Sequence, residues 1–126
     1  MNVPDDLRYT SDHEWARPTD NQVRVGLTDF AQDALGDVVF VELPAIGASV
    51  TKGGPLGEVE STKSVSQIYA PVSGTVVEVN EVLRRSPESV NADPYGDGWL
   101  CVIETTDGTE LDELLAPEAY RHATEA

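Results

Sequence analysis

Gly57-Glu58-Val59-Glu60-Ser61-Thr62-Lys63-Ser64-Val65-Ser66-Gln67-Ile68 is the stretch whose reading decides the fold. Two strand-like runs, Leu56 to Glu60 and Val65 to Tyr69, flank a short polar break, and such a break predicts a β-hairpin spanning about residues 56–69. Lys63 falls at its tip, with its amine in water and open to another enzyme. An isolated turn lysine is only a solvated charge. Held on a rigid hairpin, with Val59 and Val65 as its expected anchors, the same amine suits a tether better than a catalyst.

Working outward, Pro71-Val72-Ser73-Gly74 supplies a second turn and Thr75 to Val79 another strand. Further strands are expected at His13 to Ala16, Gln22 to Leu27, Val38 to Leu43 and Trp99 to Glu104. Short strands at this spacing favour a sandwich or flattened barrel over a parallel sheet with crossover helices. A short helix fits residues 29–35, with Thr28 or Asp29 as cap, Gln32 in capping-box position for Asp29, and Gly36 as the stop. Ser86-Pro87-Glu88-Ser89 suits one helical turn. From Thr109 the pattern turns helical: Leu111, Leu114 and Leu115 are expected on one face, and Pro117 starts a second short helix, giving a tail over about residues 109–124.

Composition narrows the function classes. At 126 residues, 40% hydrophobic and 25% charged, the chain reads as one globular domain over residues 1–126. No apolar run approaches the roughly 20 residues a membrane helix needs, and the acidic start Met1-Asn2-Val3-Pro4-Asp5-Asp6 has no signal or transit pattern. A cytoplasmic, bacterial protein is the simplest reading. The formal charge of −15 repels nucleic acid and anionic membranes, so partners are expected to present basic patches. The single cysteine, Cys101, lies in an apolar run and is expected to be buried and inert, so dithiol chemistry has to come from a prosthetic group. His13 and His122 lie far apart and cannot complete a metal set with one cysteine. No carboxylate spacing marks an acid–base pair.

The spaced set Gly47, Val50, Leu56, Val59, Lys63, Val65, Ile68, Gly74 and Val76 resembles the lipoyl-attachment pattern. In its Glu60-Ser61-Thr62-Lys63-Ser64 form it is similar to the H proteins of the glycine cleavage system. The likeness continues through His13-Glu14-Trp15, Gly36-Asp37-Val38-Val39-Phe40-Val41-Glu42-Leu43-Pro44 and Asp93-Pro94-Tyr95-Gly96-Asp97-Gly98-Trp99, and so covers nearly the whole chain. It implies a mostly β, lipoyl/biotinyl-type hybrid barrel-sandwich with a short internal helix and a C-terminal helical segment. It further implies lipoate, covalent on Lys63, in a carrier that catalyses no step itself. The arm would take the aminomethyl group of glycine from a pyridoxal-phosphate decarboxylase (P protein) to a folate-dependent aminomethyltransferase (T protein). Dihydrolipoyl dehydrogenase (L protein) would then reoxidise it, and lipoylating enzymes would be further partners. An arm of about eleven bonds, each advancing roughly 1.25 Å, reaches on the order of 14 Å.

In that family the loaded arm rests in a surface cleft, and Glu14 matches the acidic residue expected to meet its ammonium group. By strand alternation alone Glu14 would instead be solvated, with Trp15 inward. Asp12 and Gln67 stand where a small hydroxyl residue and an acidic residue are found in some relatives, so a carboxylate is expected to have moved from one cleft wall to the other. Biotin is disfavoured because biotinyl lysines are flanked by methionines and Met1 is the only one here. A lipoyl relay that donates its arm to other proteins, and an unmodified β-barrel interaction module, remain as alternatives.

Overall fold

The computed structural model describes residues 1–124. Its six-stranded sheet has the order β1 (Arg8–Tyr9), β2 (Glu14–Thr19), β3 (Gln22–Leu27), β9 (Cys101–Glu104), β8 (Gly74–Val79), β5 (Ser49–Val50). A three-stranded sheet has the order β4 (Val38–Glu42), β6 (Pro55–Ser61), β7 (Val65–Tyr69). Every pairing is antiparallel. Between the sheets, alternating inward residues such as Val25, Val41, Val59, Ile68, Val76 and Ile103 form the main core. This is a mostly β barrel-sandwich with short helices on its rim and a C-terminal helical segment.

The expected strands recur within two residues at each end, except that β2 runs on to Thr19, three residues past the expected Ala16. The two-residue strands β1 and β5 were not signalled, because two residues carry no periodicity. Helix α1 (Asp29–Leu35) starts at Thr28, whose hydroxyl accepts the Ala31 amide at 3.1 Å, and stops at Gly36. Thr28 is therefore the cap, and the Gln32 amide donates to the Asp29 side chain, at 2.7 Å, rather than to its backbone. Around Pro87 lie two single-turn helices, α2 (Val82–Arg85) and α3 (Ser89–Ala92).

The tail is less regular than the leucine spacing predicts. A 3-10 helix (Gly108–Glu113) ends at an extended Leu114, so Leu115 leaves the face of Leu111 and Leu114 and instead bridges Tyr9. Helix α4 (Pro117–Thr124) then lays Tyr120 against Tyr9, Val3, Leu7 and Trp15 in a second apolar cluster. Trp15 and Ala16 belong to different clusters, so both faces of β2 are covered. Cys101 is buried in the main core, and desolvation pushes its thiol up to about 12. No helix among the described residues is long and apolar enough to cross a membrane.

Candidate functional site

Strands β6 and β7 run antiparallel with Glu60 opposite Val65, leaving Ser61, Thr62, Lys63 and Ser64 to close the hairpin. Ser61 organises the turn. Its buried hydroxyl accepts the amides of Lys63 at 3.2 Å and Ser64 at 3.1 Å, while its own amide donates to the Ser64 carbonyl at 2.8 Å. A serine at the first turn position does this without help from distant chain. The Thr62 amide donates to the Asp37 carbonyl at 3.1 Å, fastening the tip to the turn between α1 and β4.

Lys63 is exposed, and its stem crosses Gly36, where a Cβ would lie 3.1 Å from Lys63 Cε. Gly36 has φ +78° and ψ −154°, a conformation open in practice to glycine alone. The residue that stops α1 thus also clears a path for the lysine. Of the expected anchors, Val59 is buried in the core, whereas Val65 is 58% exposed. Val65 shares the outward row of the sheet with Glu60, so Ser61 and Thr62 hold the tip in its place.

Beside the hairpin lies an open cleft of about 400 Å³. Ser64 and Leu35, the chain neighbours of Lys63 and Gly36, stand at one end. Leu27, Ala31, Ala34, Val59 and Ile68 supply apolar walls, and Asp12, His13, Glu14, Gln67 and Tyr69 the polar ones. The fold therefore brings Asp12, Glu14 and Gln67 to one cleft from positions more than fifty residues apart in sequence. Gln67 contributes little polarity there, because its amide turns to the Gly57 carbonyl at 2.7 Å. Lys52, the other lysine, lies elsewhere and pairs with Glu113 at 2.8 Å.

Glu14 corrects the expectation from strand alternation: it is 2% exposed, not solvated. It shares a face of β2 with Ala16, which packs in the main core, while Trp15 fills the opposite face under the tail. Its Oε1 accepts the Thr10 hydroxyl at 2.6 Å and its Oε2 the Tyr69 amide, an edge group of β7, at 3.2 Å. Burial pushes the carboxyl up to about 7, against those two hydrogen bonds, which favour the charged form.

His13 lies outside β2, at φ +71°. Its ring meets Phe30, with centroids 4.4 Å apart, and its Nδ1 lies 2.8 Å from the Tyr120 hydroxyl, which also contacts Thr28 Oγ1 at 2.7 Å. Burial lowers the His13 pKa. Ser61, Gly36, Tyr69 and Tyr120 escaped the sequence reading as site residues. The first two were signalled by turn and helix-stop chemistry; for the last two nothing local was available.

Fold and site together define a class: barrel-sandwich domains that present one lysine on a tight hairpin beside a surface cleft. A sequence profile described as "Glycine cleavage H-protein" matches residues 7–126. The chain belongs to the glycine cleavage H-protein family. It is 56% identical over 120 residues to the "Glycine cleavage system H protein" of Geobacillus kaustophilus, covering 95% of this chain and 94% of that one. It is 59% identical over 124 residues to the protein of the same name from Mycobacterium avium, covering 94% of each. A "Probable glycine cleavage system H protein" of Haloarcula marismortui is 56% identical over 125 residues, covering 99% and 98%. Among solved structures, a glycine cleavage system H protein from Mycobacterium marinum superposes with a TM-score of 0.90 at 45% identity, covering 98% of this chain and 100% of that one.

Proposed function

We propose that this chain is the lipoyl-bearing carrier of a glycine cleavage system, with lipoate in amide linkage to Lys63 Nζ. It takes the aminomethyl group of glycine from the pyridoxal-phosphate decarboxylase (P protein) to the folate-dependent aminomethyltransferase (T protein), and dihydrolipoyl dehydrogenase (L protein) reoxidises it. The observation that carries this reading is the junction of the Lys63 hairpin with a cleft that is apolar near the lysine and acidic at Glu14.

The residues present fit the group. An apolar arm would be held by Leu35, Ala31, Val59 and Leu27, and a cationic end by Glu14 and Asp12, all of which line the cleft. When bound, lipoate supplies the sulfur pair that takes up the aminomethyl group and two electrons. The chain's own part is to hold, shield and release. Ser61 fixes the backbone of Lys63, and Gly36 leaves its stem room to turn. Glu14, held by Thr10 and Tyr69, gives up its proton beside an ammonium group and accepts a charge-assisted hydrogen bond. The apolar walls limit the access of water to a labile amine.

Incubation with a lipoylating enzyme, followed by peptide mass mapping and reconstitution with the decarboxylase, tests the reading. One lipoyl group on Lys63 and glycine-dependent transfer are expected. An unmodified Lys63 would sink it and leave an interaction module, and a lipoyl group on Lys52 would sink the assignment of the attachment site.

A further inference from the structure

The outer face of the β4–β6–β7 sheet, next to the lysine tip, is uncovered and mixes apolar side chains with carboxylates. A register irregularity between Val38 and Phe40 turns two consecutive apolar residues of β4 outward, leaving Val39 52% and Phe40 53% exposed. Phe40 lies opposite Glu60, and Glu60 opposite Val65, so the three form one row across the sheet. Glu42, Glu58 and Gln67 form the next row on that face. Among the described residues no cation comes within 4.0 Å of Glu42, Glu58 or Glu60. Exposed Val39, Phe40 and Val65, interleaved with three carboxylates that have no cationic partner, therefore reach to within two residues of Lys63.

We infer that this face is the docking surface for the enzyme that acylates Lys63, whose matching surface is apolar with a lysine- and arginine-rich rim. The inference rests on the reading of Lys63 as the lipoylation site. Reach decides between this enzyme and the later partners. The unmodified side chain extends about 6 Å from its Cα. The acylating active site must therefore come down onto the tip itself and cover whatever surface adjoins it. Once the arm extends on the order of 14 Å, a partner can dock farther away. Of the other flanks of the tip, one is filled by the turn at Gly36 and Asp37 and the other opens into the cleft. The sheet face offers exposed apolar side chains beside unpaired carboxylates. In the step itself Lys63 Nζ gives one proton to solvent and attacks an activated lipoyl carbonyl. The amide bond forms as the bond to the leaving group, a nucleotide phosphate or a thiol, breaks, and a second amine proton leaves with it.

The test is steady-state lipoylation of the full chain by a lipoate-transferring enzyme, comparing wild type with Phe40→Ser/Val65→Ser and with Glu42→Lys/Glu58→Lys. Ile46→Ser, at another exposed apolar residue, serves as control. All positions are exposed or half-buried, and melting curves confirm the fold. The expected result is a rise in KM of about tenfold for each double variant with kcat unchanged, and no change for Ile46→Ser. Variants lipoylated to completion at high enzyme concentration should then serve the decarboxylase at the wild-type rate. An unchanged KM for lipoylation would overturn the inference and leave the assignment of Lys63 intact. A loss confined to the decarboxylase step would give the face to a later partner. A wild-type dimer abolished by Phe40→Ser/Val65→Ser, seen in sedimentation, would give it to a second copy of the chain. Wild type that takes no lipoyl group at Lys63 would overturn both readings.

Discussion

The Lys63 hairpin and the Glu14 cleft adjoin one another but are built on opposite plans. The hairpin is largely local: its turn is closed by Ser61, two residues before its lysine. The cleft is assembled from β2, β3, α1, β6 and β7, and Tyr120 of α4 supports one of its walls through His13. A local device holds its shape wherever its two strands pair, whereas an assembled one depends on every element that meets in it. Attachment of an arm and protection of its load should therefore fail separately.

The sharpest separation is Lys63→Arg. One exposed cation replaces another, so stability should change by less than about 0.5 kcal/mol. Lipoylation and aminomethyl transfer should be lost entirely, and Lys52, paired with Glu113, should not substitute. Mass mapping and reconstituted glycine decarboxylation check both halves; a lipoyl group on Lys52 would break the comparison. Gly36→Ala probes one of the places where the two regions meet. A side chain at φ +78° and ψ −154° costs about 1 to 3 kcal/mol, and its Cβ presses on Lys63 Cε. A lower melting temperature together with slower lipoylation is expected. Slower lipoylation without destabilisation would mean that the lysine stem alone is disturbed.

Glu14→Gln tests the cleft alone, through pH. The folded carboxyl titrates at about 7, raised from 4.5, so between these values the native state holds more protons than the unfolded one. Glu14 therefore costs progressively more stability as pH climbs from 4.5 through about 7. Replacing it with neutral glutamine should leave stability little changed at pH 4.5 and raise it above pH 7, by something on the order of 2 kcal/mol. Denaturant melts across that range check the sign. The loaded arm should meanwhile lose ammonia faster in this variant, with lipoylation of Lys63 unaffected. Equal lifetimes in wild type and Glu14→Gln would remove Glu14 as guardian of the amine.

The same contrast explains what was legible in the sequence. Hairpin, strand positions and the α1 stop are written in neighbouring residues, and periodicity and turn chemistry find them. Glu14 was misread by alternation because that rule assumes one wet face per strand, and here the N-terminal residues and α4 cover the second face with Tyr9 and Tyr120. Leu115 was misplaced for a related reason: spacing assumes a continuous helix, whereas the chain turns extended at Leu114 to bridge Tyr9. Gln67 lines the cleft, but no local signal foretells that its amide folds back to Gly57.

Tyr120→Phe has the smallest expected effect and reaches furthest into the question of what the tail is for. The stacking of Tyr120 on Tyr9, with centroids 4.6 Å apart and planes 10° from parallel, survives the change, as does the buried ring. Only the hydroxyl goes, and with it the link that joins His13 Nδ1 to the α1 cap at Thr28. Losing a hydrogen bond at each end, in partly buried surroundings, should cost about 1 kcal/mol. Freed from Tyr120, the His13 ring turns on its backbone, and its pKa, lowered by burial, should rise toward 6.5 as water reaches it. NMR titration reads that shift directly. Because His13 lines the cleft and touches nothing in the hairpin, the loaded arm should be shorter-lived while the KM and kcat of lipoylation stay at wild-type values. A parallel drop in lipoylation would show that α4 steadies the whole barrel, including the Lys63 tip, and the division between a local hairpin and an assembled cleft would have to be given up.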